Sequence, residues 1–394
     1  MILSDLKYIK KSVHENMLKR SQFNEGDLLV KITGVGRMAI SCVVPYGFSG
    51  NINQHITRIK IKNDKKDFEV SRTIAAFLNS DIGEILASRR STGGTRPALD
   101  YLALKSIPIV YKPEIVEIMD KAYSEKKEKE AKAQELLDSI DDYVLGELGI
   151  KMPEVENKMC FAVDSSEIES RIDPYYYKIY FVELEKSLTK GKFKLMELSS
   201  VCNLLNGFAF RSNDYVEFSE TLNVRMSNIR PNNSFDPDYN PRYLPNEYSE
   251  IYKEFLLNDG DIIIAMTDMA SDPKILGVPT IIKNSNNRKL LLNQRVGKLF
   301  DINEKVINLN YLKIILSSQL IKGYFNRIAA RGVQLNISRE QILSAKIPLP
   351  PLEIQNKIAE EVKSRMDEAK QLQKEAIENL EQAKQEVERM IFGE

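Results

Sequence analysis

The chain has 394 residues, 43% hydrophobic and 8% aromatic, and its 56 Lys and Arg balance 56 Asp and Glu; this suits two or three domains with their own cores, and nothing in it points to disorder. Cys42, Cys160 and Cys202 show no paired spacing, which supports neither a disulfide frame nor a zinc site and fits a reducing cytoplasm. Lys7, Lys10 and Lys11 are not followed by an apolar h-region, and no stretch reaches roughly 18 uncharged apolar residues, so export and membrane spanning are not expected.

The first predicted strand opens with Gly26-Asp27, continues through Leu28-Leu29-Val30 and is followed by Ile32-Thr33. Asn53-Gln54 precedes a strand-like run from Ile56 to Ile61, and a short amphipathic helix then carries Phe77-Leu78. The basic turn Arg89-Arg90-Ser91-Thr92-Gly93-Gly94-Thr95-Arg96 leads to Ile107-Pro108. From Pro113 to Glu147, Ile115, Met119, Ala122, Ala133, Leu137, Ile140 and Val144 recur at helical spacing, with Pro113 suited to a first turn and Gly149 to a stop.

The second half repeats this order. After a longer lead-in (Arg171-Ile172-Asp173-Pro174-Tyr175, Asn206-Gly207-Phe208, Arg225-Met226-Ser227-Asn228) come Gly260-Asp261-Ile262-Ile263-Ile264 and Met266-Thr267, then Asn293-Gln294 ahead of Val296 to Phe300. A helix with Ile315-Leu316, the basic turn Arg327 to Gln334 and Ile347-Pro348 follow, and each copy closes with Glu-Ile opening a helix. Seven landmarks in one order, at an offset of about 234 to 240 residues, indicate a duplicated domain. Only 25 residues precede Gly26, so the first copy reads as shortened at its N-terminus.

From Glu353 to Ile391 apolar residues at Ile354, Ile358, Val362, Met366, Ala369, Leu372, Ala376, Leu380, Ala383, Val387 and Met390 form a single stripe without Gly or Pro. Such a helix is roughly 60 Å long and needs a partner for its stripe. The 113–147 helix can supply one, and small Ala positions suit a close antiparallel pair, which connectivity would make a rod with a domain at either end. A surface helix pair or a homodimeric coiled coil is the plainer reading.

Charge is unevenly distributed. Residues 1–112 hold 18 basic and 10 acidic side chains, net +8, and residues 190–350 hold 21 and 16, net +5. The segments 113–151, 152–189 and 351–394 are acidic, at −5, −4 and −4. Two basic units joined by acidic struts suit a polyanionic partner despite zero overall charge.

Gly332-Val333-Gln334-Leu335-Asn336-Ile337, then Ile347-Pro348-Leu349-Pro350-Pro351-Leu352-Glu353-Ile354-Gln355 and the long terminal helix, resemble the specificity subunits of Type I restriction-modification systems. Asp261-Ile262-Ile263-Ile264, Asn293-Gln294-Arg295-Val296 and Arg171-Ile172-Asp173-Pro174-Tyr175-Tyr176 are further landmarks of that resemblance, which covers nearly the whole chain. It implies an α+β fold with two target recognition domains separated by a long antiparallel two-helix coiled coil, each domain reading one half of a split DNA site. The chain departs from the pattern in lacking a first-domain lead-in of roughly 60 or more residues. The resemblance also implies partners: double-stranded DNA, an adenine-specific modification (methyltransferase) subunit and an ATP-dependent restriction (translocase/nuclease) subunit. S-adenosylmethionine, ATP and magnesium would belong to those partners, with no cofactor, metal or catalytic residue in this chain.

Phosphate contacts require Lys and Arg, whereas base discrimination uses Arg for guanine and Asn or Gln for adenine. The polar loops offer Arg211, Arg225, Asn228, Arg230, Arg331 and Gln334 in the second unit, and Lys31, Arg37, Arg89, Arg90 and Arg96 in the first. A single loop Arg is more often a solvated charge, and Asn53-Gln54 and Asn293-Gln294 read more simply as backbone partners at strand starts. Turn chemistry alone can explain Gly94 and Gly332, and His14 and His55 are isolated.

Other functions fit less well. Asp173-Pro174-Tyr175-Tyr176 and Asn240-Pro241-Arg242-Tyr243 resemble an amino-methyltransferase loop but lack its second proline, and Thr33-Gly34-Val35-Gly36 opens no helix pattern. No P-loop or carboxylate-Lys nuclease cluster is found. A two-headed coiled-coil scaffold or regulatory subunit that binds protein partners is the alternative. The expected layout is a first target recognition domain at 1–112, a spacer helix at 113–150, a connector at 151–189, a second domain at 190–350 and a terminal helix at 351–394.

Overall fold

The structure is a computed structural model, and it describes residues 7–61, 68–156, 160–168, 171–284 and 286–393. Residues 1–6 and 62–67 of the expected first domain, 157–159 and 169–170 of the expected connector, 285 of the expected second domain and 394 of the expected terminal helix lie outside the described residues. The chain divides into two compact units, one formed by residues 1–135 and 368–394, the other by 136–367. Each of the two long helices therefore contributes to both units.

In the first unit the strands are Gln22–Phe23 (β1), Leu28–Lys31 (β2), Ser41–Val43 (β3), Gly50–Asn51 (β4) and Ile56–Ile59 (β5), followed by helices Phe68–Asn79 (α1), Asp81–Arg90 (α2), Tyr101–Lys105 (α3) and the start of Glu114–Leu148 (α4). All its pairings are antiparallel, in the order β3-β2-β5 with a separate β1-β4 pair. Strand β2 is buried on both faces. Leu28 and Val30 join a core with Phe77, Leu78 and Ala87, while Leu29 packs with Phe23 and Val44. Gly26 adopts φ 78°, a conformation that favours glycine, and this lets Asp27 accept the Asn24 amide at 2.8 Å.

The second unit continues with Ile179–Thr189 (α5), Leu195–Glu197 (β6), Asn203–Asn206 (β7), Thr221–Val224 (β8), Tyr243–Leu244 (β9), Tyr248–Ile251 (α6) and Leu256–Leu257 (β10). Then come Ile262–Ala265 (β11), Thr267–Met269 (β12), Pro279–Ile281 (β13), Lys289–Leu292 (β14) and Val296–Phe300 (β15). Leu309–Ser317 (α7), Gln319–Ile328 (α8), Ala330–Arg331 (β16), Gln334–Asn336 (β17), Arg339–Leu343 (α9), Lys346–Pro348 (β18) and Leu352–Phe392 (α10) complete the chain. Several small sheets form here, ordered β13-β11-β15-β7, β10-β14-β8-β9, β12-β17-β16 and β18-β6, with β14-β8 parallel. A single mixed sheet would be the simplest way to join strands of both directions. Short strands with residues buried on both faces produce layers instead: Ile262 and Ile264 face the core of α5, α7 and α8, and Ile263 and Ala265 face that of β8 and β14.

The duplication is physical. Leu28 pairs with Ile59 as Ile262 pairs with Leu299, Gln22 with Asn51 as Leu256 with Leu291. Asp261 accepts the Asn258 amide at 2.7 Å beside Gly260 at φ 88°, repeating the first-unit turn. Helices α2 and α8 share a Ser N-cap, Ser80 and Ser318, each accepting the amide three residues on.

The long helices pair antiparallel within each unit. In the first, Ile115, Met119 and Ala122 pack with Leu380, Ala383 and Val387, and Glu125 accepts from Asn379 at 3.4 Å. In the second, Arg365 donates to Ser139 Oγ at 2.8 Å and lies over the Tyr143 ring, while Lys357 reaches Glu147 at 3.0 Å. The stripe read from the sequence is the buried one at Ile358, Val362, Ala369, Ala376, Leu380, Ala383 and Val387, although Met366 is 45% exposed.

Candidate nucleic-acid interface

Strand β8 is buried throughout, and the chain leaves it in a turn that Asn228 fixes. Asn228 is 1% exposed; its Oδ1 accepts the Arg225 amide at 2.9 Å and its Nδ2 donates to Asp236 O at 3.0 Å and Tyr239 O at 3.2 Å. Its Oδ1 and both its N–H groups are thus engaged in holding residues 225–240 together. The Arg225 guanidinium donates to Asn240 O at 2.9 Å. Burial draws its pKa down; the nearby Tyr215 hydroxyl opposes this, and the positive charges of Arg242 and Arg295 add to it.

Three guanidiniums therefore share one region. Elsewhere in the unit Arg288 and Lys298 are neutralised by Asp238 at 2.7 Å and Asp261 at 2.6 Å, whereas among the described residues no carboxylate forms a salt bridge with Arg225, Arg242 or Arg295. The same stretch holds buried polar atoms without a protein partner: Asn223 Oδ1, Arg225 Nε, Ser227 Oγ and Asn233 Oδ1. An unmet buried polar group costs about 1–3 kcal/mol, so a cationic rim with spare donors and acceptors can receive an anionic, hydrogen-bonding ligand.

The remaining candidates are dispersed. Arg211 is exposed at the turn 212–214, its amide on Asp214 at 3.1 Å. Arg230 stacks 3.5 Å over the Tyr239 ring, beside the Arg225 loop. Arg331 lies 3.2 Å over the Tyr175 ring and donates to Asn326 at 2.7 Å; Gln334 is on β17 across the hairpin, where Val333 is 84% exposed. In the first unit Lys31 donates to Val35 O at 2.8 Å, and Arg90 to Ser106 Oγ and Leu86 O at 3.0 Å. Arg37 bonds the carbonyls of Asn79 and Ser80 and pairs with Asp81 and Glu84, tying α1 to α2. Arg89 is exposed, and Arg96 reaches His55 Nε2 at 3.3 Å.

Sequence reasoning left Arg242 and Arg295 out of the candidate set. A signal was present, since Arg295 follows the Asn293-Gln294 landmark and Arg242 sits in Asn240-Pro241-Arg242-Tyr243. Their convergence on Arg225 depends on β8, β9 and β14 being neighbours. Asn53 and Asn293 are backbone partners, as their position suggested, accepting the amides of His55 at 3.0 Å and Arg295 at 3.2 Å. Asp173 is also structural: it accepts the Tyr175 amide at 3.0 Å and pairs with Arg171 at 3.1 Å.

Residues 190–382 match the family described as Type I restriction modification DNA specificity domain. The chain is 24% identical over 277 residues to the Type I restriction enzyme MjaVIII specificity subunit of Methanocaldococcus jannaschii, a match spanning 64% of this chain and 63% of that protein. It is 29% identical over 173 residues, 43% of this chain and 27% of the relative, to the EcoAI specificity subunit of Escherichia coli. A solved structure described as bearing on complex assembly and conformational transition of the type I R-M system aligns with 92% of this chain and 80% of its own, at 14% identity and TM-score 0.48. The family match covers the β7–β15 region that carries the arginine cluster: residues 190–382 belong to the Type I restriction modification DNA specificity domain family, and the two relatives that the chain resembles are Type I specificity subunits.

Proposed function

We propose that the chain is the DNA-reading, non-catalytic subunit of a Type I restriction-modification complex. It binds double-stranded DNA at a bipartite target and directs adenine methylation or restriction by a modification and a restriction subunit, which would bring S-adenosylmethionine, ATP and magnesium. The observation that carries this reading is the Arg225, Arg242 and Arg295 cluster, which has no salt-bridging carboxylate among the described residues, in a unit whose 223–233 stretch also holds the unpartnered Asn223 Oδ1, Ser227 Oγ and Asn233 Oδ1. Arginines near phosphate supply salt-sensitive affinity, while amide and hydroxyl groups beside them can read base edges. Arg230 lies beside that cluster over Tyr239, with Asn228 as its support, while Arg211, Arg331 and Gln334 would add contacts from other loops of the same unit. Lys31, Arg89, Arg90 and Arg96 are the first unit's cations, Arg37 being held by Asp81 and Glu84.

The test is binding to a duplex library with a randomised centre across a salt series, comparing the intact chain with the triple variant Arg225→Ala, Arg242→Ala, Arg295→Ala. The logarithmic salt slope should fall by about 2.7 if each arginine neutralises one phosphate, and selection should return a split sequence that the variant no longer enriches. An unchanged slope and selection would overturn the assignment of this face. Binding of protein partners with no duplex affinity at low salt would instead support a scaffold.

A further inference from the structure

Three strands of the second unit end on one turn. Asn293 N–H donates to Val224 O at 3.1 Å and Met266 N–H to Arg295 O at 3.0 Å, so the ends of β8, β14 and β11 meet at residues 293–295, beside Arg225 and Arg295. The chain of β11 does not stop there. It runs on as β12, beside which β17 and then β16 pair antiparallel, with Thr267 opposite Asn336, Met269 opposite Gln334 and Arg331 opposite Leu335. The 3 residues of β12 carry this ribbon past the level of Arg295 by roughly 10 Å at the rise of an extended strand.

The root of the ribbon is fixed. Asp268 accepts the amides of Lys274 and Ile275 at 2.5 Å and of Leu276 at 3.0 Å, and Ile337 N–H donates to Met266 O at 3.0 Å. Alternation along the strands separates two faces. Asp268 and Leu335 are buried on the inner one, and Arg331, opposite Leu335, is drawn back onto Asn326 and the Tyr175 ring. Met269, Gln334 and Asn336 share the outer face, where Met269 is 44% exposed, and Val333 stands at the tip. The outer face thus combines apolar side chains open to water with amides of unspent capacity. Asn336 Oδ1 accepts from Thr267 Oγ1 at 2.9 Å, and among the described residues neither Asn336 Nδ2 nor the Gln334 side-chain amide bonds to protein.

We propose that this ribbon is the base reader of the second unit, an inference that rests on the DNA-binding assignment above: it lies in the major groove and recognises an A·T pair. The Gln334 amide bonds N6 and N7 of the adenine, Val333 and Met269 pack against the thymine methyl, and Arg225 and Arg295 hold phosphates at the groove wall. The dimensions agree. A major groove about 12 Å wide and about 8.5 Å deep admits a β-ribbon, and the reach past the arginines is of that depth. Guanine would call for a free arginine on the outer face, and Arg331 is held on the inner one.

The test repeats the duplex selection with the full chain and with Gln334→Ala and Val333→Ser, variants whose circular dichroism should be unchanged. The intact chain should enrich an A·T pair that Gln334→Ala no longer selects, while the salt slope, set by the arginines, stays as it was. In the enriched duplex, 7-deazaadenine at that pair should weaken the intact chain about tenfold and leave Gln334→Ala unaffected. Uracil in place of the thymines at and next to it should weaken the intact chain and leave Val333→Ser unaffected. Enrichment of the same sequence by the intact chain and both variants, or equal sensitivity of all three to the altered bases, would overturn the role of the ribbon alone. Absence of any enrichment by the intact chain would remove the DNA-reading assignment and this proposal with it.

Discussion

Gln355 is fully buried at the start of α10, and both ends of its side-chain amide are engaged. Its Oε1 accepts the Asn308 amide at 2.8 Å, and its Nε2 donates to Pro350 O at 2.8 Å and Val306 O at 3.0 Å. Asn308 in turn caps α7 through the amides of Asn310 at 2.8 Å and Tyr311 at 3.0 Å. Gln355→Met keeps the length of the side chain but strands one N–H and two carbonyls. At about 1 kcal/mol for each lost bond, the cost is roughly 3 kcal/mol. For a unit the size of residues 136–367 that corresponds to a fall in Tm of roughly 6–12 °C. Gln355→Glu should cost more, because an acceptor oxygen would then face both carbonyls. The chain has 17 Tyr and no Trp, so urea unfolding followed by tyrosine fluorescence, alongside calorimetry, reads the change directly. A loss below about 1 kcal/mol for both variants would refute the claim that this glutamine joins α10 to the α7 cap.

Two further outcomes are expected. Ala376 is fully buried in the helix pair, so Ala376→Leu should destabilise by about 1–3 kcal/mol through overpacking, while Ile377→Ala, at a site 60% exposed, should change the thermal midpoint little. Burial pushes the Cys202 thiol up to about 12 and also raises Cys42, whereas Cys160 is exposed. At pH 8 a thiol-titrating reagent should therefore modify Cys160 first and leave Cys202 until the protein unfolds; early modification of Cys202, located by mass spectrometry, would contradict the packing around it.

Periodicity and repeat order carried much of the fold. The apolar stripes of α4 and α10 were legible because helical spacing is a local property, and Gly26 and Gly260 marked their turns because a positive φ restricts the residue that can stand there. The site was less legible. That Asn228 is consumed by backbone carbonyls, that Arg37 ties two helices together, and that Arg242 and Arg295 approach Arg225 are all products of pairings between segments distant in sequence. The division of strands into small sheets was hidden for the same reason, since a short apolar run does not reveal which neighbour it will choose.

The shared helix α10 has a consequence for synthesis. The core containing Ile115 and Met119 is closed by Leu380, Ala383 and Val387. The first unit, although its strands precede those of the second, stays open until residues 380–387 have been translated and have cleared the ribosome. Vectorial folding, in which early segments consolidate while later ones emerge, is therefore available to residues 136–367 before it is available to the earlier residues 1–135.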